Sequence, residues 1–241
     1  MADTKLDVRV YPIDEAQGNM KAFASVAFDD MVAIRGIRVI EGETGLFVFM
    51  PQAQNKNTNE YYNIAFPLDQ DVRKEMNKAV CEEYKRIESL PADQRGYEKP
   101  EAGTMPELNI ENIKLDIKVY PIKDPQGNTK AFGTINIDDL VEIRGIRIFE
   151  GVNKDGENKL YVSMPQSQDK KTNEYHDVAF PINGDLRKEI NKAVLDKYEN
   201  GDKSKDKSLA NGLRQGAEKA AGQTSIPRES AAKSRNGAGI E

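Results

Sequence analysis

Apolar and polar residues alternate along the first part of the chain, in several short runs. These runs are residues 6–13, 20–28, 31–40, 46–50 and 61–66. Because successive side chains of a strand point to opposite faces, the alternation predicts about five antiparallel strands with one buried face. We expect Phe23, with Val26 or Phe28, to face the core. The polar stretch 52–60 is predicted to be a loop.

The periodicity changes after Pro67, where apolar residues begin to recur every three or four positions. The residues at this spacing are Val72, Met76, Ala79, Val80, Tyr84 and Ile87. They would form one apolar stripe on a helix, and Asp69 suits the N-cap because its carboxylate can accept from free backbone N–H groups. Antiparallel strands followed by one C-terminal helix predict an α+β fold.

The whole pattern occurs twice. Residues 5–41 align with 114–150 and residues 46–84 with 160–198, with 45 identities in 76 positions. The second copy has five extra residues at a predicted hairpin tip between residues 151 and 159. This period is far longer than the roughly 20–50 residues of solenoid repeats. The chain is therefore predicted to contain one domain in duplicate.

The duplication divides the chain into two tandem domains with two further segments. The domains are predicted at residues 5–88 and 114–199, each with a sheet of about five strands and a C-terminal helix. Residues 89–113, with three prolines, are predicted to be an extended linker. Residues 200–241 are rich in Lys, Ser, Gly and Ala, and we expect a disordered basic tail with a formal charge of +3. The second helix should begin after Asn183, which takes the place of Asp69.

The composition limits the classes of function. The chain has 241 residues and a net charge of −5, whereas proteins that bind nucleic acid through phosphates usually carry a basic surplus. Any such binding would need a local basic patch. No apolar run approaches the roughly 18 residues of a membrane span, and the N-terminus lacks the apolar stretch of a secretory signal. We expect a cytoplasmic protein without membrane partners.

Residues typical of catalysis or metal binding are scarce. His176 is the single histidine and Cys81 the single cysteine, and the other repeat has Tyr62 and Leu195 in their places. The paired aspartates Asp29–Asp30, repeated at 138–139, are expected to form tight turns rather than a metal site. The sequence therefore predicts a protein that is not an enzyme and holds no cofactor.

Duplicated arginines are the first candidates for a binding surface. Arg35 and Arg38 recur as Arg144 and Arg147. Three residues apart on a regular strand, they would point to opposite faces, but a bulge at Gly36 would bring them to one side. A guanidinium suits phosphate oxygens. The alternatives are an ion pair with Asp7, Glu41 or their repeats, and a dimer contact.

Two further groups of basic residues complete the candidate surface. Lys56, Lys170 and Lys171 lie in the polar loops, where long side chains could bond nucleic-acid backbone or base edges. Arg73 and Lys74, with their repeats Arg187 and Lys188, lie at the starts of the predicted helices. For both groups the alternative is an ordinary solvated surface.

Several segments resemble one known family. They are Ile-Arg-Val-Ile-Glu-Gly at 37–42, Gly-Leu-Phe-Val-Phe-Met-Pro at 45–51 and Tyr-Asn-Ile-Ala-Phe-Pro-Leu at 62–68. The second copy has the counterparts of these three segments in the same order. The order of elements is similar to that of the SpoVG family, the bacterial stage V sporulation protein G or septation regulators. The resemblance implies a β-sheet core with a C-terminal helix, homodimer formation, and site-selective binding of nucleic acid.

The resemblance transfers to only some of the candidate residues. Arg38 and Arg147 match the arginine of the family's Asp-Ile-Arg-Val-Ile segment, and Arg73 and Arg187 match its arginine at the helix start. Where the family has a basic Ser-Lys-Arg, this chain has Gln-Ala-Gln and Gln-Ser-Gln. The family's Ala-His-Pro is Ala-Phe-Pro in both copies.

Two functions are consistent with these features. The first is a regulatory protein of the septation or sporulation type that binds DNA or RNA, with its two domains paired within one chain as a covalent pseudo-dimer. The second is a protein-interaction or scaffold module that keeps the fold without binding nucleic acid. Further homo-oligomers and unidentified protein partners are compatible with both.

Overall fold

The structure, a computed structural model, describes six stretches of the chain. They are residues 4–13, 18–55, 58–91, 94–95, 110–169 and 172–201. Three predicted site residues, Lys56, Lys170 and Lys171, lie outside the described residues. So do most of the predicted linker and the predicted tail from residue 202 onward.

The first four strands form an antiparallel sheet in chain order. They are β1 (Leu6–Pro12), β2 (Met20–Phe28), β3 (Val32–Gly42) and β4 (Gly45–Phe49). The turn between β2 and β3 has positive φ at both Asp29 (47°) and Asp30 (53°). Two consecutive residues with positive φ give the turn a backbone twist that matches the right-handed twist of the strands that it joins. The tight turn predicted here is confirmed.

One side of this sheet is packed into the core and the other faces solvent. On β2, Val26 and Phe28 are fully buried, whereas Phe23 is 43% exposed. The prediction that Phe23 faces the core is wrong. The buried side of the strand at that point is taken by Ala22 and Ala24, and strict alternation then places Phe23 outward.

After β4 the chain forms a two-stranded arm that the sequence pattern did not predict. Its strands are β5 (Gln52–Gln54) and β6 (Tyr61–Asn63), so the expected loop 52–60 begins as a strand. The arm is polar and mostly exposed, so no apolar alternation marks it. The strand expected at 61–66 ends at Asn63, and Ile64 separates it from a further strand, β7 (Ala65–Pro67).

The second repeat has the same elements. They are β8 (Leu115–Pro121), β9 (Thr129–Ile137), β10 (Val141–Val152), β11 (Asn158–Ser163), β12 (Gln166–Gln168), β13 (Tyr175–Asp177) and β14 (Ala179–Pro181). The extra residues lie in the turn between β10 and β11, as predicted. The Asn153 Oδ1 atom closes this turn by accepting from the backbone N–H groups of Asp155 (2.9 Å) and Glu157 (2.8 Å).

The two repeats exchange their last short strands. β7 of the first repeat pairs with β10 of the second, and β14 of the second pairs with β3 of the first. Two equivalent hydrogen bonds extend the pairing. The Arg35 N–H donates to the Val178 carbonyl, and the Arg144 N–H donates to the Ile64 carbonyl, both over 2.7 Å. Each five-stranded sheet is therefore completed by the other repeat.

Each exchanged strand leads into a helix that returns to the sheet of its own repeat. α1 (Gln70–Glu88) packs on β1, β2 and β4, and α2 (Gly184–Asn200) packs on β8 and β11. The buried residues of the two helices follow the predicted stripe: Met76, Val80, Tyr84 and Ile87 in α1, and Leu186, Ile190 and Val194 in α2. This confirms the α+β fold, with two antiparallel sheets each followed by a helix.

The predicted N-caps of both helices are confirmed. The Asp69 Oδ1 atom accepts from the N–H groups of Asp71 (2.7 Å) and Val72 (3.1 Å), and Asn183 caps α2 in the same way. These bonds satisfy N–H groups that have no partner within the helix. Neither helix in the described part of the chain is long and apolar enough to cross a membrane.

Candidate functional site

A β-bulge in each repeat brings two arginines to the same side of the sheet. The pairing of β2 with β3 shifts by one residue at Arg35–Gly36, where Gly36 has a φ of 72°. Ile34 and Ile37 are both fully buried across this bulge, so the residues that follow each of them, Arg35 and Arg38, point outward. The predicted bulge is confirmed, and Arg144–Gly145 repeats it.

We expect Gly36→Ala to lower the free energy of unfolding by about 1–2 kcal/mol, because the left-handed conformation costs other residues about that much. An added Cβ would meet Pro51 Cβ at an ordinary 3.9 Å, so strain in the backbone is the cause. Urea denaturation measures the loss. Gly127→Ala is the matched control, since a Cβ there would meet nothing within 4 Å and the φ is not positive. Equal stability of the two variants would contradict the role of the bulge.

The second candidate arginine of each bulge, Arg38 or Arg147, bonds to a glutamine of the arm. Arg38 Nη2 donates to Gln52 Oε1, and Arg147 Nη2 donates to Gln166 Oε1, both over 3.3 Å. No described carboxylate lies within ion-pair distance of either guanidinium, so neither positive charge is offset by an ion pair. The structure does not have the alternative arrangement, an ion pair with Asp7 or Glu41, because Asp7 pairs with Arg9 and Glu41 with Lys21.

In the second repeat this chain of bonds continues to the helix. Gln166 Nε2 donates to Asp177 Oδ1 (3.0 Å), and Arg187 Nη2 donates to Asp177 Oδ2 (2.8 Å). Arg147 and Arg187 consequently line one cavity of about 560 Å³. The structure thus brings together two of the residues predicted from the sequence.

The two repeats differ in the charge at this position. The first repeat has Asn63 where the second has Asp177, and Gln52 Nε2 donates to Asn63 Oδ1 over 3.2 Å. Arg73, the counterpart of Arg187, is exposed and makes no ion pair within the described residues. The charge of Arg73 is therefore not offset by a described carboxylate, whereas the charge of Arg187 is offset by Asp177.

The exchanged strands place further arginines at the seam between the repeats. The Arg35 guanidinium lies 4.6 Å from the ring centroid of Phe180 on β14, and that of Arg187 lies 6.0 Å from the same ring. On the other side of the molecule, Arg144 lies 4.7 Å from the Phe66 ring on β7. Arg35 and Arg144 thus both make a dimer-type contact within one chain. Arg144 is in addition paired with Glu142, whereas Arg35 makes no ion pair with a described carboxylate and keeps its charge available for a ligand.

The two candidate lysines within the described residues, Lys74 and Lys188, lie apart from these cavities. Lys74 donates to Asp71 (2.9 Å) and Lys188 to Asp185 (2.8 Å), both on exposed first turns of the helices. These hydrogen bonds raise the pKa of each lysine. Both lysines stay charged, but each is paired with a carboxylate, as expected for the solvated-surface alternative.

The sequence pattern missed the aromatic residues around Arg38. Phe23 on β2 and Phe49 on β4 flank it across the sheet, and Tyr61 lies with it in a groove of about 810 Å³. The alternation along β4 could have indicated them. Neighbouring residues of a strand point to opposite faces, so only one of Val48 and Phe49 can face the core.

No described group of three or more His, Cys, Asp or Glu residues is arranged to hold a metal ion. His176 lies on the exposed arm strand β13, 3.8 Å from Glu174. Burial raises the pKa of the Cys81 thiol.

Comparison with known proteins matches both repeats. A family model described as SpoVG matches residues 4–86 and 113–200. The candidate septation protein SpoVG of Clostridium perfringens strain SM101 is 39% identical over 84 residues, which cover 35% of this chain and 91% of that protein. The corresponding protein of Caldanaerobacter subterraneus subsp. tengcongensis is 41% identical over 80 residues, 33% of this chain and 86% of its own length. That of Myxococcus xanthus strain DK1622 is 40% identical over 80 residues, 33% and 78%. Each alignment spans about one repeat.

Proposed function

The chain belongs to the SpoVG family, and from this premise we propose that it is a regulator of the septation and sporulation type that binds DNA or RNA as a covalent pseudo-dimer and catalyses no reaction. The septation part comes from the names of its relatives, which match about one repeat each. Binding of nucleic acid is supported by the side chains of this chain itself.

The observation that carries the proposal is the pair of arginines that the bulge of the first repeat turns outward. Arg35 and Arg38 point to the same solvent face, and neither makes an ion pair with a described carboxylate. An arginine whose charge is not neutralised and whose planar fork is exposed favours phosphate oxygens. A local surface of this kind is what an acidic chain needs to bind nucleic acid.

The pseudo-dimer is supported by the exchange of β7 and β14. The relatives are about as long as one repeat, so a tandem chain supplies both partners of a dimer-like exchange at once. Covalent linkage raises the effective concentration of the second repeat to about the millimolar range. Arg35 and Arg187 then meet at Phe180 without association of a second chain.

The direct test is a titration of the full chain into labelled single-stranded and duplex oligonucleotides at low and at physiological salt. We expect binding that weakens as salt increases, since each phosphate contact releases condensed counterions. Failure to bind either oligonucleotide at low salt would overturn the proposal.

Asp177 and Asn63 occupy equivalent positions, so the variant Asp177→Asn makes the two repeats identical at this position. Because Arg187 then loses its carboxylate partner, we expect tighter binding, with a salt slope steeper by about 0.7–0.9. The partly exposed ion pair contributes less than about 1 kcal/mol, so the free energy of unfolding should change little. The reciprocal variant Asn63→Asp should bind more weakly than the wild type. Identical affinities for the three proteins would show that this position is not in the interface.

The second candidate function is a protein-interaction module. It is favoured by the net charge of −5 and by the glutamines that replace the family's basic loop residues. Salt-independent binding of a protein, with no affinity for nucleic acid, would support this alternative.

A further inference from the structure

The solvent face of the first sheet carries a row of aromatic side chains interrupted by one arginine. Across neighbouring strands, Tyr11 pairs with Phe23, Phe23 with Arg38, and Arg38 with Phe49. The three rings are 45%, 43% and 43% exposed, respectively. With strands about 4.8 Å apart, the row extends over roughly 14 Å.

These residues are unusual for their position. The outward side of an antiparallel sheet is normally polar where it meets water, yet three of the four outward positions in this row are aromatic. Phe47 on the same strand as Phe49 adds a further ring that is 45% exposed. An exposed aromatic patch of this kind is typical of a binding surface.

The electrostatics of the row favour an anionic ligand. Arg38 lies between two rings, with its guanidinium 6.0 Å from the Phe49 centroid, and makes no ion pair with a described residue. The groove of about 810 Å³ extends from Phe23 and Arg38 to Arg35 at the seam. Two carboxylates, Asp169 and Asp177, lie on the far wall of the groove, and that of Asp177 is paired with Arg187.

The equivalent face of the second repeat lacks the complete row. Tyr120, Phe132 and Arg147 occupy the positions of Tyr11, Phe23 and Arg38, but Ser163 replaces Phe49. Two further rings, those of Phe149 and Tyr161, stack on each other, with centroids 5.6 Å apart and an interplanar angle of 27°. The two faces are therefore not equivalent as platforms.

We propose that the solvent face of the first sheet binds single-stranded nucleic acid, with bases stacked on Tyr11, Phe23 and Phe49 and the phosphates held by Arg38 and Arg35. This deepens the proposed function and rests on it. Every base has a π-face, and stacking on aromatic rings combined with a basic groove is how proteins hold single strands. In a duplex the bases are already stacked on each other, so the rings have nothing to bind. The second repeat contributes charge and the rings of Tyr120 and Phe132, without a counterpart of Phe49.

The test compares a labelled oligothymidylate of about twelve nucleotides with a duplex of the same length, using the full chain. Phe23→Ala/Phe49→Ala should weaken binding of the single strand by at least about thirtyfold and leave duplex binding within about threefold. The matched control is Phe132→Ala/Ser163→Ala, at the same positions of the second repeat, which should weaken single-strand binding much less. Thermal unfolding checks that each variant is folded.

A second variant adds a ring instead of removing one. Ser163→Phe gives the second repeat the missing aromatic residue and should tighten single-strand binding by about fivefold or more. Unchanged single-strand affinity in both the double alanine variant and Ser163→Phe would overturn the platform while the proposed function stands. If the wild type binds neither probe, the proposed function fails as well, and the row is then a surface for a protein partner.

Discussion

Replacing Ala179 with aspartate is expected to lower the free energy of unfolding by at least about 3 kcal/mol, because a buried carboxylate without a partner is costly. Ala179 is fully buried on β14, where it pairs with Ile34 of the first repeat. Because β14 pairs with β3, the loss of structure should appear in the first repeat. The backbone of β3, from Val32 to Arg35, should lose its protection although the change lies in the second repeat.

Hydrogen exchange of backbone amides measures this directly. In Ala179→Asp the Arg35 amide, which donates to the Val178 carbonyl, should exchange faster, whereas the Arg144 amide should be much less affected. The control is Ser167→Asp, which adds the same charge on the exposed strand β12. Loss of protection at Arg144 with Arg35 unchanged would mean that β14 pairs within its own repeat, and the exchange would be wrong.

Removing four arginines together is expected to have the largest effect on binding. Arg38, Arg73, Arg147 and Arg187 are the arginines predicted from the sequence, and their joint replacement by alanine should weaken binding of nucleic acid about a hundredfold or more at low salt. The salt slope should also decrease by about 2 to 2.7, because Arg38, Arg73 and Arg147 each lose a phosphate contact that contributes roughly 0.7–0.9. Arg187 is already paired with Asp177 and adds little to this change.

The control for this variant changes the net charge equally at other places. It replaces four exposed lysines by alanine: Lys78, Lys85, Lys154 and Lys192. Fluorescence anisotropy of a labelled oligonucleotide compares the two variants with the wild type at several salt concentrations. Equal weakening by both variants would mean that only the overall charge matters, and the assignment of the arginines would be wrong.

The elements of this fold could largely be predicted from the sequence, but the exchange could not. Strand alternation, the helical stripes, both N-caps and the bulge at Gly36 are local features with local signals. The strand exchange has no such local signal. Ala-Phe-Pro occurs in both β7 and β14, and the two strands with which it could pair, β3 and β10, carry similar residues. Ile34 of β3 corresponds to Ile143 of β10, so a strand would bury the same contacts in its own sheet or in the other one.

The candidate site was predictable only in part, for a related reason. The duplicated arginines identified Arg38, Arg147, Arg73 and Arg187, but sequence spacing does not show that Arg187 reaches Asp177 on the arm. That contact depends on how α2 packs. The outward position of Phe23 could not be predicted from hydrophobicity alone, because a phenylalanine in an apolar run is expected to face the core. In the structure, Ala22 and Ala24 fill the buried side of β2 instead.

Sedimentation of the full chain, alone and with a labelled oligonucleotide, tests the central claim most directly. A covalent pseudo-dimer should sediment with the mass of one chain, and its complex should contain one chain. Binding should persist when the protein is diluted, because the second repeat is always present. An obligate dimer of chains, or the absence of any complex at low salt, would contradict the account.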